Sequence, residues 1–127
     1  MKEILAVIRI NKINETKKAL ADAGYFPMTC RKVYGRGKKK VDFSLIEELI
    51  DGEPVATPTV LESISESHRL IAKRLLMMMV PDEDVTPIVK ILIETNQTGN
   101  MGDGKIFVVP LENAYRVRTG EAGEAAV

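Results

Sequence analysis

Apolar and polar positions alternate from the start of the chain: Ile4, Ala6, Ile8 and Ile10 share one face, and Leu5, Val7 and Arg9 share the other. A period of two, rich in β-branched side chains, predicts a strand over residues 2–10. The period then lengthens. Ile13, Thr16, Leu20 and Ala23 recur at helical spacing, with Asn11 as a candidate cap and Gly24 placed to end the helix in a left-handed conformation. A second strand is expected from about Tyr25 to Tyr34, with Pro27 near its start, where a missing donor costs least. The plan then repeats. Ile71–Val80 is a strongly apolar run that reads as a strand, and Val85, Ile88, Val89, Leu92 and Ile93 form a helical stripe behind the acidic Asp82-Glu83-Asp84. Because Pro87 is tolerable only in a first turn, Asp84 is the expected cap. Ile106–Val109 predicts a last strand, and Ala114–Val117 a short extended piece.

Two successive β-α-β units suit an α+β fold, the ferredoxin-like βαββαβ sandwich, with an antiparallel sheet carrying both helices on one face. Strand residues are apolar on both faces, so the open face also needs cover, and oligomerisation is the simplest way to supply it. Residues 36–70 fall outside this plan. A connection of that length is usually functional or mobile. It opens with Arg36-Gly37-Lys38-Lys39-Lys40, and Phe43, Ile46, Leu49 and Ile50 suit one face of a short helix. Such an arm is a natural docking element. A disordered insertion explains it equally well.

Composition narrows the function classes. With 127 residues the chain is expected to form one domain, 1–127, with 36–70 as an insertion and 121–127 as a flexible tail. Eighteen basic residues balance eighteen acidic ones, which excludes nucleic-acid or membrane binding through the overall field. A single cysteine forms no internal disulfide and no metal cluster, as suits a reducing compartment. No targeting segment is evident, and no apolar run approaches the roughly 18 residues of a membrane span, so a soluble, cytoplasmic protein is expected.

The informative chemistry lies in Thr98-Gly99-Asn100-Met101-Gly102-Asp103-Gly104-Lys105-Ile106-Phe107. Gly99–Lys105 satisfies G-x-x-x-x-G-K, most of a phosphate-loop pattern. Ile106, however, stands where a magnesium-binding hydroxyl belongs, and the order is helix–loop–strand instead of strand–loop–helix. What remains is a glycine-rich turn whose amides suit phosphate, with Lys105 as a point charge. Arg116 and Arg118, two apart on an expected extended piece, would point the same way and suit bidentate phosphate binding. A plain tight turn with solvated cations is the competing reading. The glycines alone favour that reading, and the three cations bring nucleotide binding level with it.

Thr98–Phe107 is similar to the B-loop of the PII nitrogen-regulatory signalling proteins, and Arg116-Val117-Arg118-Thr119-Gly120-Glu121 resembles their C-loop. Met28-Thr29, Val33 and Gly35-Arg36-Gly37 match their second strand and T-loop entry. The resemblance covers residues 1–35 and 71–121. It implies a homotrimer of ferredoxin-like subunits with ATP or ADP in intersubunit clefts, 2-oxoglutarate as effector, magnesium bridging the two, and a T-loop that contacts target proteins. Carried over, Gly102, Asp103, Gly104 and Lys105 would hold phosphates, and Arg116 and Arg118 would reach them from the neighbour. Thr29 and Met79 would flank the adenine with Val7 close by, while Gly35, Gly37 and Lys38 would border the phosphates. Lys73 matches the lysine that pairs with 2-oxoglutarate.

The departures from the family are equally specific. Lys38-Lys39 replaces the usual Arg-Gln, and an ammonium has no lone pair for the bridging magnesium. Lys39 would instead neutralise phosphate or the 2-oxoglutarate carboxylate, or a paralogous PII subunit would supply the missing glutamine. No tyrosine lies between Arg36 and Leu70, which removes the usual nucleotidylation site. A long, divergent arm resembles the archaeal nitrogenase-associated branch, so nitrogenase is the expected target. The alternatives are a small nucleotide-hydrolysing or phosphotransfer enzyme using Gly99–Lys105, and a nucleotide-free interaction module. His68 reads as a solvated histidine, Cys30 as a small buried hydrophobe, and Met77-Met78-Met79 as core apart from the adenine-facing Met79.

Overall fold

The computed structural model describes residues 1–37 and 70–127. Expectations that fall on 38–69, among them those for Lys38, Lys39, Phe43 and His68, lie outside the described residues. By internal contacts the chain separates into Met1–Val33 with Ala72–Val127, and Tyr34–Ile71. The elements run β1 (Lys2–Ile8), α1 (Ile13–Asp22), β2 (Thr29–Gly35), β3 (Ile71–Val80), α2 (Asp82–Asn96) and β4 (Lys105–Pro110), closed by a 3-10 turn at Gly123–Ala126. The sheet order is β2-β3-β1-β4, and β1 pairs antiparallel with both β3 and β4. This is the expected βαββαβ sandwich.

Alternation along β1 buries Ile4, Ala6 and Ile8, and the register sets Ile4 opposite Met78 and Ala6 opposite Leu76. Leu20 from α1 and Ile88 and Leu92 from α2 close the core from one side. Between the helices lies a buried polar pair: the Asn96 amide donates to Thr16 Oγ1 at 3.1 Å and to the Leu92 carbonyl at 2.9 Å. The Thr16 hydroxyl in turn donates a hydrogen bond to the Lys12 carbonyl at 2.7 Å. The pair is satisfied, so it locks helix register without a desolvation penalty. The opposite face of the sheet is built from rows set by the same register: Leu5 between Met77 and Phe107, and Glu3 between Met79 and Val109. Phe107 is 50% exposed and Met79 40%.

Several local expectations are corrected. Helix α1 starts at Ile13 behind a 3-10 turn at Ile10–Lys12, with Lys12 and not Asn11 at the cap position. Ala23 is exposed because the helix has already ended. There Gly24, at φ +90°, donates to Ala21 and Tyr25 donates to Leu20, the paired bonds of a Schellman motif. That motif uses the Tyr25 amide and Pro27 has none, so β2 begins only at Thr29. Cys30 on β2 is exposed, not buried. Pro81 caps α2, which places Pro87 six residues into the helix, where the Glu83 carbonyl loses its usual partner. Residues 114–117 form no strand: a single bridge pairs Tyr115 with Ala122.

Candidate functional site

The Thr98–Lys105 loop joins the end of α2 to β4, and its own side chains shape it. Asp103 Oδ2 accepts the amides of Thr98 at 2.8 Å and Gly99 at 3.0 Å, while Oδ1 accepts the Thr98 hydroxyl. These donors, the Thr98 hydroxyl foremost, hold the Asp103 carboxyl below its ordinary pKa, and Arg9 adds to the depression. Asp103 is therefore an internal strut of the loop.

Two glycines have separate physical reasons. Gly104 sits at φ +115°, and a Cβ there would be driven into the Val7 carbonyl oxygen of β1. Only glycine lets the loop lie this close to the strand. Gly102, at φ +98°, faces the Arg9 guanidinium, which a Cβ would approach to 3.3 Å.

Two cations from neighbouring strands reach the same loop. Arg9, just past β1, donates from Nε to the Gly102 carbonyl at 3.1 Å and from Nη2 to the Met101 carbonyl at 3.0 Å. The same Nη2 lies 3.1 Å from Asp103 Oδ1. Lys73 on β3 donates to the Gly102 carbonyl at 2.7 Å. Burial lowers the Lys73 pKa, the nearby Arg9 lowers it further, and Asp103 opposes both.

The structure thus gathers Val7, Lys73, Gly102, Asp103, Gly104 and Lys105, with Val7 and Lys105 paired in the β1–β4 register. Val7, Asp103, Gly104 and Lys105 also line a hollow of about 400 Å³ beside α2. Among the described residues of the unit that holds the loop, Thr29 and Met79 make no hydrogen bond to it. Thr29 starts β2 and Met79 lies on the open sheet face, both exposed. Gly35 ends β2, and Gly37 follows it.

Arg116 and Arg118 lie in a tight turn in which Gly120 donates to the Arg116 carbonyl at 2.7 Å, so strand alternation does not aim them. Arg116 instead grips Glu121 at 3.2 Å and the Ala125 carbonyl at 3.0 Å, which ties down the end of the chain. Arg9 is the residue that pattern reading passed over. Its signal was a charge ending an apolar strand.

The family model described as Nitrogen regulatory protein P-II matches residues 1–121. The chain belongs to the P-II nitrogen regulatory family. It is 44% identical over 127 residues to "Nitrogen fixation nifHD region GlnB-like protein 2" of Methanobacterium ivanovii, covering all of this chain and 99% of that protein. It is 42% identical over 127 residues to "Nitrogen fixation nifHD1 region GlnB-like protein 2" of Methanosarcina barkeri, covering all of this chain and 99% of that protein. With "Nitrogen regulatory protein P-II 2" of Methanothermobacter thermautotrophicus it shares 37% over 134 residues, covering all of this chain and 97% of that one. P-II proteins are regulators without enzymatic activity, which sets aside the hydrolase alternative. Among the described residues, no helix is long and apolar enough to cross a membrane.

Proposed function

We propose that this P-II protein is a cytoplasmic trimer that binds ATP or ADP between subunits, responds to 2-oxoglutarate and regulates nitrogenase through the arm at 36–70. The observation that carries this reading is the Thr98–Lys105 loop, whose carbonyls are held by Arg9 and Lys73. Phosphates lie against Gly102, Asp103, Gly104 and Lys105, and Arg116 and Arg118 come from the neighbouring subunit. Thr29, Met79 and Val7 surround the adenine, and Gly35, Gly37 and Lys38 lie along the phosphates. Neither arginine has a hydrogen bond or ion pair to the loop of its own chain among the described residues, which suits a donor role across an interface.

In this reading 2-oxoglutarate meets Lys39 and Lys73, and its carboxylate replaces the Gly102 carbonyl on the Lys73 ammonium. Lys39 offers no lone pair to a metal, so 2-oxoglutarate would bind this chain without a protein ligand to a bridging magnesium at that position. The relatives named for a nitrogen fixation nifHD region support nitrogenase as the target.

Calorimetric titration with ATP, ADP and 2-oxoglutarate tests the sensor, together with a chain lacking about residues 41–66. The expected result is nucleotide binding and trimer mass retained in the deletion variant, with regulation of the target lost. Retained regulation would place the output surface on the core instead.

A further inference from the structure

We infer that Arg9 is a positioning residue for anion recognition: its guanidinium fork sets the orientation of two loop peptides so that their amides face outward. The inference rests on the nucleotide reading above and adds the device that prepares the loop before any ligand arrives.

In a trans peptide the carbonyl and the following N–H point in opposite directions, and the chain has no cis bonds among the described residues. Arg9 takes the Met101 carbonyl, so the Gly102 N–H is turned away from it. Arg9 and Lys73 together take the Gly102 carbonyl, so the Asp103 N–H is turned away as well. Neither amide has an acceptor among the described residues. Two adjacent amides left without acceptors on one side of a turn form an anion-binding concavity. Its formation normally costs ordering entropy at the moment of binding. Here that ordering is already present, because a planar fork has engaged two carbonyls and the Asp103 carboxylate at once.

Arginine at this position differs in kind from lysine. One ammonium supplies the charge, but it cannot hold the Met101 and Gly102 carbonyls in a fixed mutual angle. Lys73 supports the same Gly102 carbonyl from β3 and leaves the Met101 peptide free. The two cations therefore have separable roles.

The test compares wild type with Arg9→Ala and Arg9→Lys in three measurements: ATP affinity, adenosine affinity, and amide hydrogen exchange and NMR order across Gly99–Gly104. Adenosine lacks phosphates, so it reports the fold and the base pocket without the loop. The expected result is at least a tenfold loss of ATP affinity in Arg9→Ala and at least a threefold loss in Arg9→Lys. Adenosine affinity should be unchanged, and both variants should show raised exchange at Gly102 and Asp103. Full recovery of ATP affinity and loop order in Arg9→Lys would reduce Arg9 to a charge and overturn the positioning role. An unaltered loop in Arg9→Ala overturns it whatever the ligand does. If wild type itself takes up no ATP, the nucleotide reading fails, and the exchange and order data alone decide whether Arg9 sets the loop.

Discussion

Single residues separate into those that hold the frame and those free to meet a ligand. Thr16 and Asn96 belong to the first group. Truncating Asn96 to Ala leaves the Thr16 hydroxyl buried without its donor and opens a gap between the helices. A loss of about 1–3 kcal/mol is expected in urea unfolding, from the cost of an unsatisfied buried group. Gly104 is also a frame residue, since its proximity to Val7 is required whether or not phosphate is bound. Lys105 and Arg118 belong to the second group. Both are exposed, and neither side chain has a hydrogen bond or ion pair among the described residues. Lys105→Ala or Arg118→Ala should therefore leave folding unchanged while weakening ATP by about 1.5–3 kcal/mol, the usual value of a charge-assisted contact. Titration calorimetry beside thermal unfolding distinguishes the two groups.

Among the elements, the loop after α2 carries a pH-sensitive strut. The folded-state pKa of Asp103 is depressed, so its contribution to loop order is complete above the unfolded carboxyl value of about 3.9. That contribution is lost as pH falls through the depressed value and the carboxyl takes up its proton. The amide resonances of Thr98 and Gly99 should shift together in an acid titration, at a midpoint below that of a free aspartate. Asp103→Asn should abolish the transition. The regular elements were legible in the sequence because burial imposes periods of two and 3.6 on Ile4–Ile8, Met78–Val80 and Ile88–Leu92. Their ends were less legible, because end effects are local competitions. The Tyr25 amide went to a helix cap instead of a strand, and Pro87 was tolerated inside α2 because tertiary packing outweighs one lost bond. The site was half legible. Gly102–Lys105 stood out by spacing, but the hold of Arg9 on a loop more than ninety residues away follows from the sheet order and from no local pattern.

For the whole molecule, the open sheet face is the surface on which the proposed trimer would assemble. Leu5, Met77 and Phe107 form its central row, bounded by Met79 and Val109, and a surface of this kind seeks a partner. Leu5→Glu and Met77→Glu should each convert a trimer to monomer in native mass measurement, with helix content preserved by circular dichroism. ATP binding should fall with the trimer, since the arginines would no longer reach the neighbouring loop. A different consequence follows from the sheet order. Strands β2 and β3 are neighbours, so the long connection leaves the sheet and rejoins it on adjacent strands. Closing such a connection is insensitive to its length: doubling it adds only about 0.6 kcal/mol of closure entropy. The length of the segment between Gly37 and Leu70 is accordingly only weakly constrained by the sheet. On the proposed function, a recognition sequence of another length and another target could be spliced between those two strands without redesigning the Thr98–Lys105 loop, so output specificity would diversify while the sensing core stayed constant.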